Sequence, residues 1–225
     1  MKTYELGLRS DFFDRRIRFN ATAFYSDYTD LQLEITGSTV VNGAPVPFQV
    51  VTNVPKSRIA GGELELDVVP ATGLTLTSGL GLTYAKYTSL PTDAEFVASE
   101  LISKNSQFVN TPKVSFSLGA EYTTHVTQAI DATGRIDYSH KTTINYDPTN
   151  SPLLRQSAYG LLDARLTFEY VPSKISLAIF GTNLTNRHYI VGGYDDADTP
   201  TTGLGVAFQD MAPPREWGVT AEIRF

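Results

Sequence analysis

Cysteine is absent from all 225 residues, which excludes disulfide staples, thiolate metal sites and cysteine nucleophiles together. Long apolar runs are absent too. No stretch approaches the ~18 residues that a membrane-spanning helix requires. The opening residues, Met1-Lys2-Thr3-Tyr4-Glu5-Leu6, lack the apolar centre of a secretory signal peptide. Basic runs are equally scarce. Lys and Arg never stand more than two together and the net charge is −6, so nucleic acid is not an expected partner. Gly and Pro are ordinary in number and 41% of residues are hydrophobic, so disorder is not expected either.

What is plentiful is aromatic: 12 Tyr, 12 Phe and 1 Trp. Tyr and Phe form strands readily, and Tyr suits places where one end is dry and the other wet. The dominant pattern is period-two alternation over about ten residues, the way a transmembrane β-strand reads. Trp217, Val219, Ala221, Ile223 and Phe225 share one face, with Gly218, Thr220, Glu222 and Arg224 on the other. Val114, Phe116, Leu118, Ala120 and Tyr122 alternate in the same way with Lys113, Ser115, Ser117, Gly119 and Glu121. Segments 130–138 and 162–170 repeat the pattern, and 4–12, 17–25, 63–68, 74–83 and 175–183 do so with more blurring. Nine strands are therefore expected in an all-β, antiparallel protein. An aromatic closes most apolar stripes: Tyr25, Tyr84, Tyr122, Tyr138, Tyr170, Trp217 or Phe225. Rings at stripe ends suit the girdles at the two bilayer interfaces. A soluble sheet alternates as well, and a soluble sandwich predicts that Phe19, Leu118, Leu166 and Ile223 lie buried in a core.

The connections alternate short and long. Segments 13–16, 70–73, 124–128 and 171–174 read as tight turns, and 36–58, 89–111, 140–157 and 188–214 as long loops. The loops hold Pro45, Pro47, Pro91, Pro148, Pro152, Pro200, Pro213 and Pro214, residues that break ladders. Segment 93–104 suggests a short loop helix. Outer-membrane barrels keep short turns on the periplasmic side and long loops outside, and this order puts the C-terminus on the periplasmic side. A barrel strand so near a start without a signal peptide implies either that the true start lies upstream or that the membrane reading fails.

Several strings resemble the C-terminal half of TonB-dependent receptors, in order and over nearly the whole chain. Tyr4-Glu5-Leu6-Gly7-Leu8 followed by Phe24-Tyr25-Ser26-Asp27-Tyr28-Thr29-Asp30-Leu31-Gln32 is similar to the family's "YELGxK…FxxxYxDxQ" hairpin. Gly61-Gly62-Glu63-Leu64-Glu65 resembles "GxExE", and Asn110-Thr111-Pro112-Lys113 resembles "NxPK". Asn183-Leu184-Thr185-Asn186-Arg187-His188-Tyr189 resembles "NLxDxxY", with Asn186 where the family more often has Asp. Pro214-Arg215-Glu216-Trp217-Gly218 through Phe225 resembles the last strand.

The resemblance implies a barrel of ~22 strands closed by an N-terminal plug. Residues 1–225 would then be the C-terminal part of the barrel, with plug domain and signal peptide absent from them. Nine strands alone would leave two unpaired edges in lipid, at several kcal/mol per unsatisfied group. The implied partners are outer-membrane lipid, the remainder of the barrel and its plug, TonB through the missing N-terminal region, and a small-molecule ligand such as a ferric siderophore. The implied place is the outer membrane of a Gram-negative-type bacterium. Two rivals stand beside this reading: a small complete outer-membrane β-barrel, pore or adhesin, and a soluble carbohydrate-binding β-sandwich.

Trp217, Gly218, Val219, Ala221, Ile223 and Phe225 form a candidate signal for the barrel-assembly machinery. They also read simply as a last lipid-facing strand. Tyr146, Tyr194 and Phe208, in long loops, are candidates for stacking on a ligand. Asp195, Asp196 and Asp198 lack the spacing of an EF-hand and read as solvated. His125, His140 and His188 are scattered and have no ligand spacing. Rows of charge such as Glu63, Glu65, Asp67, Arg135, Asp137 and Arg165 are expected on the inward face, paired across strands and away from lipid. No nucleophile–base pair, phosphate-cradling loop or paired-carboxylate motif stands out. No enzyme activity, cofactor or metal is expected.

Overall fold

The computed structural model describes residues 1–90, 102–196 and 205–224, with the backbone alone over 35–40, 45 and 47–50. Among them are β1 (Lys2–Phe12), β2 (Ile17–Val41), β3 (Ala44–Ala71), β4 (Leu74–Ser89), β5 (Val114–Thr127), β6 (Ile130–Lys141) and β7 (Ile144–Asn145). There follow β8 (Arg155–Gln156), β9 (Tyr159–Tyr170), β10 (Ile175–Thr182), β11 (Ile190–Asp196), β12 (Val206–Met211) and β13 (Glu216–Ile223). Nine of them make one antiparallel sheet in the order β1-β2-β3-β4-β5-β6-β9-β10-β13. The nine alternating segments of the sequence are these nine strands.

Register makes each face continuous. Leu8, Ala21, Leu64, Leu80 and Phe116 stand opposite one another across β1 to β5. On the other face, Asp11, Arg18, Asp67 and Thr77 follow one another, and the row runs on through Gly119 to Asp137 and Asp163. The apolar face is exposed, which is the reverse of a sandwich: Leu118 is 52% exposed, and Leu166 and Ile223 are exposed as well. The soluble-sandwich expectation fails on these residues. The molecule presents 14382 Å² of surface, where a compact monomer of 24.7 kDa presents about 10,000 Å². A single sheet with both faces open accounts for the excess.

Aromatic residues border the apolar face at both ends. Tyr4, Tyr25, Tyr84 and Trp217 lie toward the loop end, and Phe12, Tyr122 and Tyr170 toward the turn end. The inward charges pair only in part: Glu63, Asp67 and Arg165 make no ion pair among the described residues. Arg135 binds Asp137 through two N–H groups at 2.7 Å and reaches Glu121 at 3.3 Å. Asn20 donates to Glu65 at 3.0 Å.

The turn end follows from local chemistry. Thr72-Gly73 joins β3 to β4, with Gly73 at φ +80, and a Cβ there would lie 2.2 Å from the carbonyl oxygen of Thr123. Only glycine satisfies both demands. The turn expected over 124–128 is shorter than that, because β5 continues to Thr127.

The largest departure is at 36–58, which is a hairpin instead of an irregular loop. β2 and β3 stay in one register out to Val41 opposite Ala44. They are joined by Asn42 and Gly43, both at positive φ, the pairing that a tight hairpin prefers. Pro45, Pro47 and Pro55 fall at alternate, odd positions of β3, so their missing N–H groups lie on one side of the strand. β4 pairs with β3 only from Lys56 onward, so that side of the hairpin needs no donors. The loop helix expected over 93–104 lies outside the described residues except for 102–104, which are not helical.

Among the described residues the sheet does not close: β1 pairs only with β2, and β13 only with β10. A barrel complete in these strands, the first rival reading, would pair its edges.

Candidate functional site: the loop end of the sheet

Burial in this molecule is concentrated at the loop end. Val54, Tyr87, Ile102 and Phe108 form a cluster with Ile59 and Ala85 packed against it. By strand parity Ile59 and Ala85 share the face of Glu63 and Glu65, so the chain around 102–108 folds over the inner side of the sheet. Tyr87 and Phe108 stack with ring centroids 4.3 Å apart.

Short polar side chains shape the next loop. After β7, Asp147 accepts from the backbone N–H of Thr149 at 2.9 Å and of Ser151 at 3.0 Å, the local bonding by which Asp builds turns. Ser151 then caps the short 3₁₀ turn Pro152–Leu154, accepting from Leu153 N–H at 3.1 Å. β7 and β8 close the loop, Ile144 opposite Gln156.

Amide side chains tie this loop to its neighbours. Gln107 donates to the carbonyls of Thr111 (2.7 Å) and Thr143 (3.1 Å), while its own carbonyl accepts from Asn145 at 3.2 Å. Asn150 accepts from the Gln107 backbone at 2.6 Å and donates back to it at 2.9 Å. The β11–β12 hairpin is fastened from the other side. Gln156 accepts from Ile190 N–H at 2.8 Å, Gln209 donates to the Leu153 carbonyl at 2.5 Å, and the Ser151 hydroxyl donates to Asp195. Three connections thereby become one platform.

Of the candidate ligand residues, the structure brings Tyr194 and Phe208 together. They sit opposite each other on β11 and β12, stacked at 5.8 Å with Phe208 exposed. Tyr146 belongs to another group, with Tyr159 and Tyr189, whose rings stack at 4.5 Å. Burial raises the Tyr146 phenol above its usual pKa, and Tyr189 adds to the effect.

Trp217, Val219 and Ile223 lie exposed on the outer face of β13 with Ala221 between them. Gly218 lies on the opposite face beneath Phe180, where a Cβ would come within 2.3 Å of the ring. Phe225 lies outside the described residues, as does Asp198. Asp196 is buried, and no group of three metal-ligating side chains occurs among the described residues. His125 pairs with Asp131 at the turn end at 2.5 Å, and His140 stacks on Phe116.

The Asn183–Tyr189 string is a turn built by its own side chains. Asn183, at φ +48, accepts from Arg187 N–H at 2.7 Å and donates to its carbonyl at 2.9 Å. Asn186, at φ +51, accepts from Arg215 N–H at 3.1 Å. Asp would serve that acceptor equally, so the departure at 186 keeps the geometry. The amides Gln107, Asn145 and Asn150 were not legible beforehand. They are brought together from positions 38 to 43 residues apart, and no local pattern marks them.

One apolar face bordered by rings, one charged face, tight turns at one end and a knitted platform at the other define the wall of a large membrane β-barrel. More narrowly, the chain belongs to the TonB dependent receptor-like, beta-barrel family, whose model matches residues 1–184. Its fold is that of solved receptors. The ferric yersiniabactin uptake receptor FyuA from Yersinia pestis superposes with a TM-score of 0.74 at 19% identity, over 99% of this chain and 29% of that one. The siderophore receptor PiuA from Acinetobacter baumannii gives 0.66 at 18% identity, over 97% and 27%. The copper transporter OprC gives 0.64 at 13% identity, over 99% and 30%. The chain thus spans less than a third of the length of each.

Proposed function

We propose that this chain forms the C-terminal part of the barrel wall of an outer-membrane receptor that imports a scarce nutrient, a ferric siderophore being the leading candidate, with energy from TonB. The observation that carries the reading is the open sheet: nine strands in register, apolar outside, with both edges unpaired among the described residues. Further strands complete the barrel, and a plug fills it, in sequence other than these residues. Glu63 and Asp67, which make no ion pair among the described residues, offer the plug carboxylates on the inner face. Tyr194 and Phe208 present an aromatic surface to the arriving ligand, while Tyr146 belongs to the group with Tyr159 and Tyr189. The β13 segment with Trp217, Val219, Ala221 and Ile223 on its outer face and Gly218 on its inner one, ending in Phe225, serves the assembly machinery while its free edge awaits a partner strand.

The direct test is uptake of labelled ferric siderophores by iron-starved source cells, with the gene intact or deleted and with TonB present or absent. The reading expects uptake of at least one chelate to vanish in both deletions. Uptake unchanged by either deletion across the chelates tried refutes it. The likeness to OprC makes a copper panel the natural second arm.

A further inference from the structure

β4 and β5 part company near the loop end. Their pairing runs from Leu74 opposite Tyr122 to Leu82 opposite Val114, with a last bond from Thr83 N–H to the Lys113 carbonyl at 3.0 Å. β4 continues to Ser89, held on its other side by β3. Residues of 104–107 and of the β7–β8 loop border the opening, leaving a cleft of about 740 Å³. That volume lies within the range of small-molecule sites.

The charge of the cleft is one-sided. Among the described residues that line it are Lys86, Lys104, Lys113 and Arg155 but no Asp or Glu, in a chain whose net charge is −6. None of the four makes an ion pair among the described residues, whereas Arg18, Arg58, Arg135 and Arg224 all do. Lys86 rests over the Tyr84 ring at 5.9 Å, which steadies the ammonium without neutralising it.

The floor is unusual in a second, independent way. Tyr87 is 2% exposed and Asn145 is 4% exposed. Both line the cleft, and the Tyr87 hydroxyl and the Asn145 carbonyl oxygen have no hydrogen-bond partner among the described residues. Buried polar groups are rarely left so. The orientation of Asn145 is fixed: its N–H₂ donates to Gln107, whose own N–H₂ is committed to two backbone carbonyls. The Asn145 oxygen therefore awaits a donor from elsewhere.

We infer that this fork is a binding site for a small ligand that combines clustered oxyanions with a hydroxyl group. The cations take the phosphate, carboxylate or catecholate oxygens, and the ligand hydroxyl meets Asn145 and Tyr87. Two sources supply such chemistry at a cell surface: the phosphorylated sugar headgroup of an outer-leaflet glycolipid, or a soluble hydroxylated polyanion. The inference concerns a different place from Tyr194 and Phe208 and does not need the transport reading.

The test uses the native protein extracted in detergent from the membranes that hold it, in whatever assembly it occupies. Citrate is titrated calorimetrically, beside tricarballylate, which lacks the hydroxyl. Phosphatidylcholine vesicles with and without lipid A provide the headgroup arm. The triple variant Lys86→Gln, Lys104→Gln, Arg155→Gln is compared with Lys141→Gln, Lys174→Gln, Arg187→Gln, which removes equal charge elsewhere. The expected result is that citrate or lipid A binds, more weakly at high salt, and that the cleft triple loses about tenfold or more while the control triple does not. Which probe binds names the source. Tyr87→Phe narrows the preference for citrate over tricarballylate. Absence of binding by either probe, or equal loss in the two triples, overturns the inference. Gel mobility before and after boiling, read on the same sample, separates the two readings. A heat-modifiable receptor that binds neither probe sinks the cleft alone, and binding by a chain that enters no receptor sinks the transport reading alone.

Discussion

Leu118 and Ser117 are neighbours on β5, and both are exposed in the open sheet. If the outer face meets water, arginine at either position is a surface substitution and costs within about 0.5 kcal/mol. If it meets lipid, the two positions differ sharply. Leu118 is the third of five residues in its stripe, between Ser78 and Tyr138 of the adjacent strands, and so lies near the middle of the apolar belt. Arginine at mid-depth of a barrel wall costs about 2–4 kcal/mol, roughly 30- to 1000-fold on the folding equilibrium. Ser117 faces inward between Gly79 and Ser139, where small neighbours leave room for a long side chain that reaches the polar lumen. The assay is urea unfolding of the assembled protein in lipid vesicles, followed by the gel shift between folded and boiled forms. Leu118→Arg should lose that 2–4 kcal/mol and Ser117→Arg almost none. Equal costs at the two positions would refute the assignment of faces, whatever their size.

Three further outcomes follow from particular residues. A Cβ on Gly160 would meet the Tyr138 hydroxyl at 2.2 Å and its Cζ at 2.6 Å, so Gly160→Ala should cost about 1–3 kcal/mol. Tyr138→Ala in the same chain should recover part of it in a double-mutant cycle. Asn183→Ala removes three side-chain hydrogen bonds and a residue suited to positive φ, a loss of about 2–4 kcal/mol. Asn183→Gly should restore only the backbone share, and Asn186→Asp should be near neutral, both read by hydrogen exchange over 183–189. Tyr194→Ala or Phe208→Ala should weaken siderophore binding by about fivefold or more, while Tyr146→Phe should leave binding unchanged and remove one late-titrating phenol from an alkaline absorbance titration, since burial disfavours its phenolate.

The strands and their faces were readable because lipid and lumen impose the same period-two contrast on every crossing. Leu118 beside Ser117 and Ile223 beside Glu222 each state which way they point. Beyond the belt that contrast ends, and legibility ended with it. The outer half of the β2–β3 hairpin was hidden behind Pro45 and Pro47, although Asn42-Gly43 is a strong turn signal once flanking strands are granted. The β11–β12 hairpin within 188–214 was hidden for the same reason. The platform amides and the cleft cations are assembled from separate loops, and their roles depend on which loops touch. Asn183 was legible as a motif, and its task of bonding both backbone groups of Arg187 required coordinates.

The most direct test of the central claim, that this chain is one section of a large receptor wall, is an immunoblot of outer-membrane fractions from the source cells. An antibody to residues 195–208 is used on boiled and unboiled samples. With 29% of the FyuA chain covered, the account predicts a membrane band about three times the 24.7 kDa of this chain, as expected for a barrel of ~22 strands with its plug, whose mobility changes on boiling. A heat-modifiable band near 24.7 kDa, or a band confined to the soluble fraction, contradicts it.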